Sequence, residues 1–253
     1  MTNFKNKDYK IWIISLFPDF FNAFLETGLS GRALKGERAS GLSVHLVQLR
    51  DYSSNSYKGV DDAPYGGGPG MVMRPDTLQS ALIDGIVVPG GYGDDWKDKL
   101  HVVFPGPRGS VWNQKKCQEF SQAAWGEKGH GKDLVFICGR YEGIDERFIK
   151  KYVDEQLSLG DYVLTGGELA VMAIIDSAVR FKPGVLGNRE SFQKESFQGG
   201  LLEHPQYTRP RVFEGLEVPE VLLSGNHKKI QEFEKLESLR VTQSERPDLL
   251  EKL

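Results

Sequence analysis

The stretch from Leu134 to Gly187 constrains the fold of this chain more than any other part of the sequence. Its apolar runs Leu134–Cys138 and Val163–Leu164 lead into Gly139 and into Gly166–Gly167. An apolar run that leads into glycine is typical of a strand that brings its backbone to a point of close approach. Two such strand ends, about one strand–helix–strand unit apart, predict neighbouring strands that share a pocket of backbone N–H and C=O groups.

An ordinary turn is the simpler explanation for each of these glycine sites, because glycine after a strand usually forms one. Polar residues around both turns favour the pocket, since a simple turn does not need them; they are Arg140, Glu142, Asp145, Glu146, Asp161, Thr165 and Glu168. A third strand, Leu100–Phe104, ends in Pro105-Gly106-Pro107-Arg108-Gly109. We therefore expect three strand ends to contribute to one site.

Strand and helix patterns alternate along the chain. Further strands are predicted at Tyr9–Phe17 and Leu42–Leu49. Helices are predicted from Pro18 to a stop at Gly28, and at Leu29–Lys35, Asp76–Ile86, Asn113–Trp125 and Glu168–Phe181. This alternation predicts an α/β fold, in which a mainly parallel sheet carries helices on both faces.

The connection Arg50–Met73 is long and shows little periodicity. Such a connection in a compact domain is usually either functional or disordered. Its tyrosines and the apolar Met71–Met73 favour a packed loop, and the glycines of Gly66–Gly70 would let the backbone approach a flat ligand or another chain.

The composition changes after Gly187. Asn188–Gln198 is polar and has no sustained apolar face, so we predict a flexible linker there, between a large domain of residues 1–187 and a small helical domain of residues 199–253. A helix is predicted at about Asn226–Leu239, with a core-facing stripe of Ile230, Phe233, Leu236 and Leu239. The cations Arg209, Arg211 and His227–Lys229 are either solvated surface charge or contacts to phosphate.

Composition and missing motifs exclude several classes of function. The net charge of −3 means that any surface for nucleic acid must be local. Cys117 and Cys138 are not in a CxxC pair, and we expect free thiols in a reducing cytosol. The apolar run Ile11–Phe17 is too short for a membrane span or a signal peptide, so we expect a cytoplasmic protein with no membrane partner. No GxGxxG, HExxH or paired-cysteine zinc motif is present, and no metal-ligating residues are predicted.

Four motifs carry a family resemblance: VDDAPYGGGPGMVM at Val60–Met73, GRYEGIDER at Gly139–Arg147, SLGDYVLTGGEL at Ser158–Leu169 and HPQYTRP at His204–Pro210. In this order they resemble the bacterial tRNA (guanine-N1)-methyltransferases, the TrmD family of the SPOUT superfamily, and the resemblance extends from about Tyr9 to the C-terminus. It implies a SPOUT fold with a C-terminal trefoil knot in the large domain, and a homodimer whose active site is shared between subunits.

The resemblance implies an enzyme that transfers the methyl group of S-adenosylmethionine to N1 of guanosine 37 of tRNA, next to the anticodon. It leaves assistance by Mg²⁺ open. The alternatives are a SPOUT RNA-binding module that has lost catalysis and an RNA methyltransferase with a different target. The cofactor loops and Arg180 are present, which favours an active enzyme.

Residues that match the family motifs receive roles by resemblance. The residues expected to bind the cofactor are Phe104, Pro105, Pro107, Gly139, Tyr141, Glu142, Ser158, Leu159, Gly160, Asp161, Tyr162, Val163, Leu164, Gly166 and Gly167. Those expected to bind the substrate are Asp61, Gly70, Ser191, Arg209 and His227. Two residues, Arg180 and Glu195, are expected to be catalytic, although Arg180 could instead be a cation that complements a helix dipole.

The chain departs from the family pattern at two positions. Glu195 stands where the family has an aspartate, and Ala170 stands where it has a proline. The glutamate keeps the carboxylate but adds one methylene, so its oxygens reach about an ångström further. Loss of the proline removes a rigid contact near the cofactor but no reactive group.

Overall fold

The computed structural model describes residues 8–37, 41–126, 131–182, 184–185 and 195–252. It divides into two compact units, Met1–Leu186 and Gly187–Leu253, so the division lies beside the boundary predicted at Gly187. Residues 188–194 of the predicted linker are outside the described residues, and its flexibility stays a prediction.

The first unit is built on a parallel sheet of five strands. They are β1 (Tyr9–Ser15), β2 (Leu42–Gln48), β5 (Leu100–Val111), β6 (Asp133–Ile137) and β7 (Glu155–Ser158), in the spatial order β2-β1-β6-β5-β7. Every pairing between neighbours is parallel, which confirms the predicted mainly parallel α/β sheet.

Both faces of the sheet are covered by apolar side chains and helices. Along β1, Ile11 and Ile13 enter one buried cluster and Trp12 and Ile14 enter the other, because successive side chains of a strand point to opposite faces. Residues of α2 (Gly28–Leu34), α6 (Gln114–Trp125) and α8 (Glu168–Val179) complete the first cluster. The second cluster contains residues of α3 (Pro75–Leu82) and α7 (Glu146–Tyr152).

The strands near the predicted pocket differ from the prediction. Strand β5 does not end at Phe104 but continues to Val111, with a shift of register against β7 between Pro105 and Ser110. The prediction of a strand end at Val163–Leu164 is wrong, since both residues lie in a loop and Val163 is 94% exposed. The strand is β7, whose first two residues are polar and only partly buried.

The predicted helices are present with changed ends. Asn113 and Asp145 cap α6 and α7, and their carboxamide and carboxylate oxygens accept hydrogen bonds from the N–H groups of Lys116 and Arg147. The helix predicted from Pro18 to Gly28 is a 3₁₀ turn, Pro18–Phe21, followed by α1 (Asn22–Glu26). The first unit also holds a π-helical turn (Ile83–Val87), α4 (Val88–Gly90) and α5 (Trp96–Lys99).

The connection Arg50–Met73 is packed near its ends but not in its middle, where Tyr57 and Tyr65 are 90% and 97% exposed and do not pack as predicted. It begins in a 3₁₀ turn, Leu49–Tyr52, and continues into two short strands, β3 (Asp61–Asp62) and β4 (Val72–Met73). The two strands pair antiparallel, and Val60 and Met73 are fully buried or nearly so.

The second unit contains a hairpin, β8 (Val212–Phe213) and β9 (Leu216–Glu217), then α9 (Glu220–Leu223), α10 (His227–Glu245) and 3₁₀ turns at Gln198–Gly200 and Pro247–Lys252. Asn226 caps α10 as predicted. The predicted core stripe is wrong for Leu236 and Leu239, which are 67% and 39% exposed. The buried residue of α10 is Thr242, whose hydroxyl accepts a hydrogen bond from the N–H of Leu202. None of the helices described is both long and apolar enough to span a bilayer.

Candidate active site

One cavity of about 260 Å³ lies where the bulge of β5 meets the loops that follow β6 and β7. The carboxyl ends of neighbouring parallel strands are the usual position of a ligand site in an α/β sheet. All of the residues expected to bind the cofactor line this cavity except Asp161. The expectations missed Gly106, Arg140, Gly143, Leu157, Thr165 and Ala170. Arg140 and Thr165 belong to the polar residues around the glycine turns, which was the available sequence signal.

The base of the cavity is a close contact between two glycine loops. The N–H of Gly167 donates to the carbonyl oxygen of Gly139 at 2.8 Å. A Cβ on Gly167 would lie 2.8 Å from the nitrogen of Gly139 and 2.9 Å from the Cα of Cys138, so a larger residue cannot fit without moving backbone. A Cβ on Gly139 would lie 2.9 Å from the Phe104 ring. The glycines are therefore required by close packing, as the sequence predicted.

Tyr141 connects the cavity wall to the Arg50–Met73 connection. Its backbone is left-handed, with φ of 59°, which is uncommon for a residue other than glycine and places the side chain beside Asp61. Burial raises the pKa of Tyr141, and the charge of Asp61 and a hydrogen bond between the two side chains raise it further. The phenol therefore stays protonated and can donate to the carboxylate.

The segment Gly70–Met73 is attached to the loop after β6 by backbone hydrogen bonds. The N–H of Glu142 donates to the Met71 carbonyl at 3.0 Å, and the N–H of Met73 donates to the Gly143 carbonyl at 2.9 Å. Gly70 lies directly against Glu142, since a Cβ there would be 2.4 Å from the carboxylate oxygen Oε1. Asp61 and Gly70 thus each contact a residue that lines the cavity, although neither of them lines it.

Arg180 does not lie beside the cavity of its own chain. It follows the last residue of α8, whereas Gly167 and Ala170 line the cavity at the other end of that helix. A helix of twelve residues is about 18 Å long. Arg180 is instead near Cys117: burial raises the pKa of that thiol to about 11, against smaller opposing effects of a hydrogen bond with Ser177 and the charge of Arg180.

The other expected site residues belong to the second unit. Glu195 is half-buried there, and Arg209 and His227 are exposed. Ser191 lies outside the described residues. In the part of the chain that the structure describes, no group of three or more His, Cys, Asp or Glu side chains could hold a metal ion.

Comparison with known proteins identifies the family. The family model of the tRNA (Guanine-1)-methyltransferase TrmD matches residues 9–252. A tRNA (guanine-N(1)-)-methyltransferase of Desulfitobacterium hafniense is 47% identical over 244 residues, which are 96% of this chain and 85% of the relative. Proteins of the same name from Clostridium perfringens and Bacillus cereus are 47% and 46% identical, again over 96% of this chain and over 94% and 92% of their own lengths. The chain therefore belongs to the TrmD family of tRNA (guanine-N1)-methyltransferases.

Proposed function

We propose that this enzyme transfers the methyl group of S-adenosylmethionine to N1 of guanosine 37 in tRNA. Membership of the family supports methyl transfer to a guanine of tRNA. The observation that carries the donor site is the convergence of loops from three strands on one cavity with a glycine base. An RNA-binding module without catalysis would have no need of this cavity.

The residues of the cavity fit the proposed donor. Loops rich in glycine present backbone N–H and C=O groups, which can hydrogen-bond the polar edges of a nucleoside. The rings of Phe104, Tyr141 and Tyr162 line the same cavity and suit a flat base. The carboxylate of Glu142 is the acidic side chain in the lining and suits a cationic ligand. When bound, S-adenosylmethionine would supply a methyl group already activated by its sulfonium.

The chain must supply the groups that act on the acceptor. N1 of guanine carries a proton, so a general base has to remove it. Negative charge then develops towards O6, and a nearby cation stabilises it. Since the methyl group is already activated, alignment of donor and acceptor is the main remaining requirement.

We assign the base to Glu195 and the cation to Arg180. Both assignments rest on the family motifs, and for Arg180 the structure adds its position at the end of α8 that is away from the cavity. Arg180 is a helix length, about 18 Å, from the cavity that its own loops form. That separation is our reason for a homodimer in which Arg180 and Glu195 of one subunit serve the cavity of the other.

Further features of the family are part of the same proposal. We expect the large domain to contain a C-terminal trefoil knot and the small helical domain to bind tRNA through Arg209 and His227. The enzyme would act in the cytoplasm, where its tRNA substrate is. No described cluster of side chains supports a resident Mg²⁺, so we do not assign the metal a role.

The test of the function is a methylation assay with labelled S-adenosylmethionine. Unmodified tRNA should accept label at N1 of guanosine 37, and tRNA with another base at that position should not. Calorimetry should show that the protein binds the donor or its demethylated product. Binding of tRNA without transfer of label would support the RNA-binding alternative, and label on another nucleotide would support a different target.

The test of the base is a pair of substitutions at Glu195. Glu195→Gln should remove most of the rate and leave donor affinity intact, because the amide cannot accept the N1 proton. Glu195→Asp should keep substantial activity. The control is Glu190→Gln, which changes the other carboxylate of Asn188–Gln198. Parent activity in Glu195→Gln together with an inactive Glu190→Gln would show that Glu190 is the base.

A further inference from the structure

An ion pair between a partly buried arginine and a fully buried glutamate connects two of the loops that form the cavity. Arg140 follows Gly139, and its Nη2 lies 2.8 Å from the carboxylate oxygen Oε2 of Glu168, the first residue of α8. Its Nη1 donates to the carbonyl oxygen of Thr165 at 3.1 Å. One side chain therefore contacts both the loop after β7 and the helix that this loop enters.

The end of strand β1 holds the carboxylate of Glu168, the acidic partner of Arg140. Glu168 is 1% exposed, and its Oε1 accepts a hydrogen bond of 2.8 Å from the hydroxyl of Ser15, at the end of β1. That hydroxyl also accepts a hydrogen bond from the N–H of Phe17 at 2.9 Å. A carboxylate at the first residue of a helix is favoured by the helix dipole. Glu168 is thus held by partners on two sides and provides a fixed point for Arg140.

The guanidinium of Arg140 is also enclosed by packing. Its Cζ lies 4.6 Å from the centroid of the Phe17 ring and 5.5 Å from that of Phe20, which are distances of cation–π contact. On another side, a Cβ on Gly166 would lie 2.3 Å from Nε. The glycine loop therefore packs directly on the guanidinium.

We propose that Arg140 is a positioning residue, which holds the backbone of Thr165–Gly167 in the conformation that binds the methyl donor. This inference rests on the proposed function of the cavity. Without the guanidinium, the Thr165 carbonyl loses its charged donor and Gly166 loses the surface on which it packs. The loop would then have to be ordered by the ligand, and the entropy cost of that ordering would reduce donor affinity.

A purely structural role can be separated from this one, because buried ion pairs contribute little net stability. Replacing both partners by apolar residues of similar size is often neutral or stabilising, whereas removing one partner leaves a buried charge and is strongly destabilising. The double variant Arg140→Met with Glu168→Met should therefore fold, with a melting temperature lowered only by the loss of the acceptor for the buried Ser15 hydroxyl. It should nevertheless bind donor weakly, since no group then holds the Thr165 carbonyl.

The experiment measures the melting temperature without ligand, the Kd of the donor by calorimetry, and KM for donor and for tRNA. For the double variant we expect Kd and donor KM to rise about tenfold or more, as for loss of a hydrogen bond to a charged group. The KM for tRNA should stay near the parent value. The matched control is Arg147→Met in the first turn of α7, which breaks an exposed ion pair with Asp145 and should leave donor Kd within about twofold.

Arg140→Lys keeps the test decisive if the double variant does not fold. Lysine retains the charge opposite Glu168, but it lacks the planar fork that contacts Glu168 and Thr165 together. We expect a folded protein whose donor Kd is raised. Parent-like donor affinity in either folded variant would overturn the role of Arg140. Failure of the unaltered enzyme to bind donor would instead refute the proposed function of the cavity.

Discussion

Substituting Gly167 by alanine tests whether the close contact at the base of the cavity is required. The backbone of Gly167 has φ of −76° and ψ of −12°, which alanine adopts freely, so strain in the local backbone does not enter. The added Cβ would lie 2.8 Å from the backbone nitrogen of Gly139. Because non-bonded heavy atoms prefer separations of about 3.5 Å or more, the two loops would have to separate by about 0.7 Å.

Two opposing effects set the size of the change in stability. Overpacking of a tight contact costs about 1–3 kcal/mol, whereas replacing glycine by alanine restricts the unfolded chain and gains about 0.4–1 kcal/mol. The overpacking is larger here, because the colliding atoms are backbone and cannot rotate away. We therefore expect Gly167→Ala to lower the free energy of unfolding by about 1–2 kcal/mol. For a domain of this size, that lowers the melting temperature by about 2–8 °C.

The assay combines thermal unfolding with calorimetric titration of the donor. A displacement of a large fraction of an ångström in a binding loop should weaken donor binding at least about tenfold. The control is Gly106→Ala, which lines the same cavity but would bring a Cβ only to 3.1 Å from the Phe104 ring. A Gly167→Ala protein with the melting temperature and donor affinity of the parent would refute the conclusion that the contact between the glycine loops is close.

An equimolar mixture of the Arg180→Ala protein and the donor-deficient Gly167→Ala protein should regain activity if the subunits of a two-fold symmetric dimer exchange at random. The expected activity is about a quarter of the parent value, because half of the dimers are mixed and each mixed dimer has one intact site. No regain would show that Arg180 acts within its own chain. Tyr141→Phe removes the hydroxyl that bonds Asp61 and should raise KM for tRNA about threefold while donor Kd stays constant; an unchanged KM for tRNA would contradict this. Burial raises the pKa of Glu155, but hydrogen bonds and ion pairs with His101 and Lys116 outweigh burial and hold that pKa below its ordinary value. The stability that Glu155 contributes is therefore present above its pKa in the unfolded chain and is lost as pH falls through its pKa in the folded protein. Glu155→Gln should therefore flatten the decline of melting temperature below about pH 4.3, and an unaltered decline would exclude a contribution from this carboxyl.

Local sequence patterns were sufficient to predict those parts of the site whose structure depends only on neighbouring residues in the chain. Leu134–Cys138 followed by glycine predicted a strand end at the cavity, and the proline–glycine cluster after Leu100–Phe104 marked a second segment of the lining, although it is a bulge inside β5 and not the end of that strand. The edge strand β7 could not be predicted from the sequence, because its polar Glu155 and Gln156 lack the apolar character of a buried strand. The more apolar Val163–Leu164 nearby has the pattern of a strand, although it forms an exposed wall of the cavity.

Features that depend on distant partners could not be predicted in this way. Arg140 and Glu168 were recognised as polar residues near glycine turns, but their pairing and the contribution of Ser15 require the folded sheet. Periodicity along α10 correctly indicated a helix and its apolar face. It could not indicate whether anything covers that face, and Leu236 remains largely exposed.

The strand order has a consequence for folding during synthesis. Strand β1 lies between β2 and β6, and Ile11–Ile14 pair with Leu134–Ile137, far along the chain. At about 5–20 residues per second, a ribosome takes roughly 6–24 s to make the residues between these two strands. During that time one edge of an apolar strand has no partner, and such edges are templates for aggregation. Long-range pairings of this kind also slow folding. Chaperone binding to the nascent chain would therefore be needed most before Ile137 emerges.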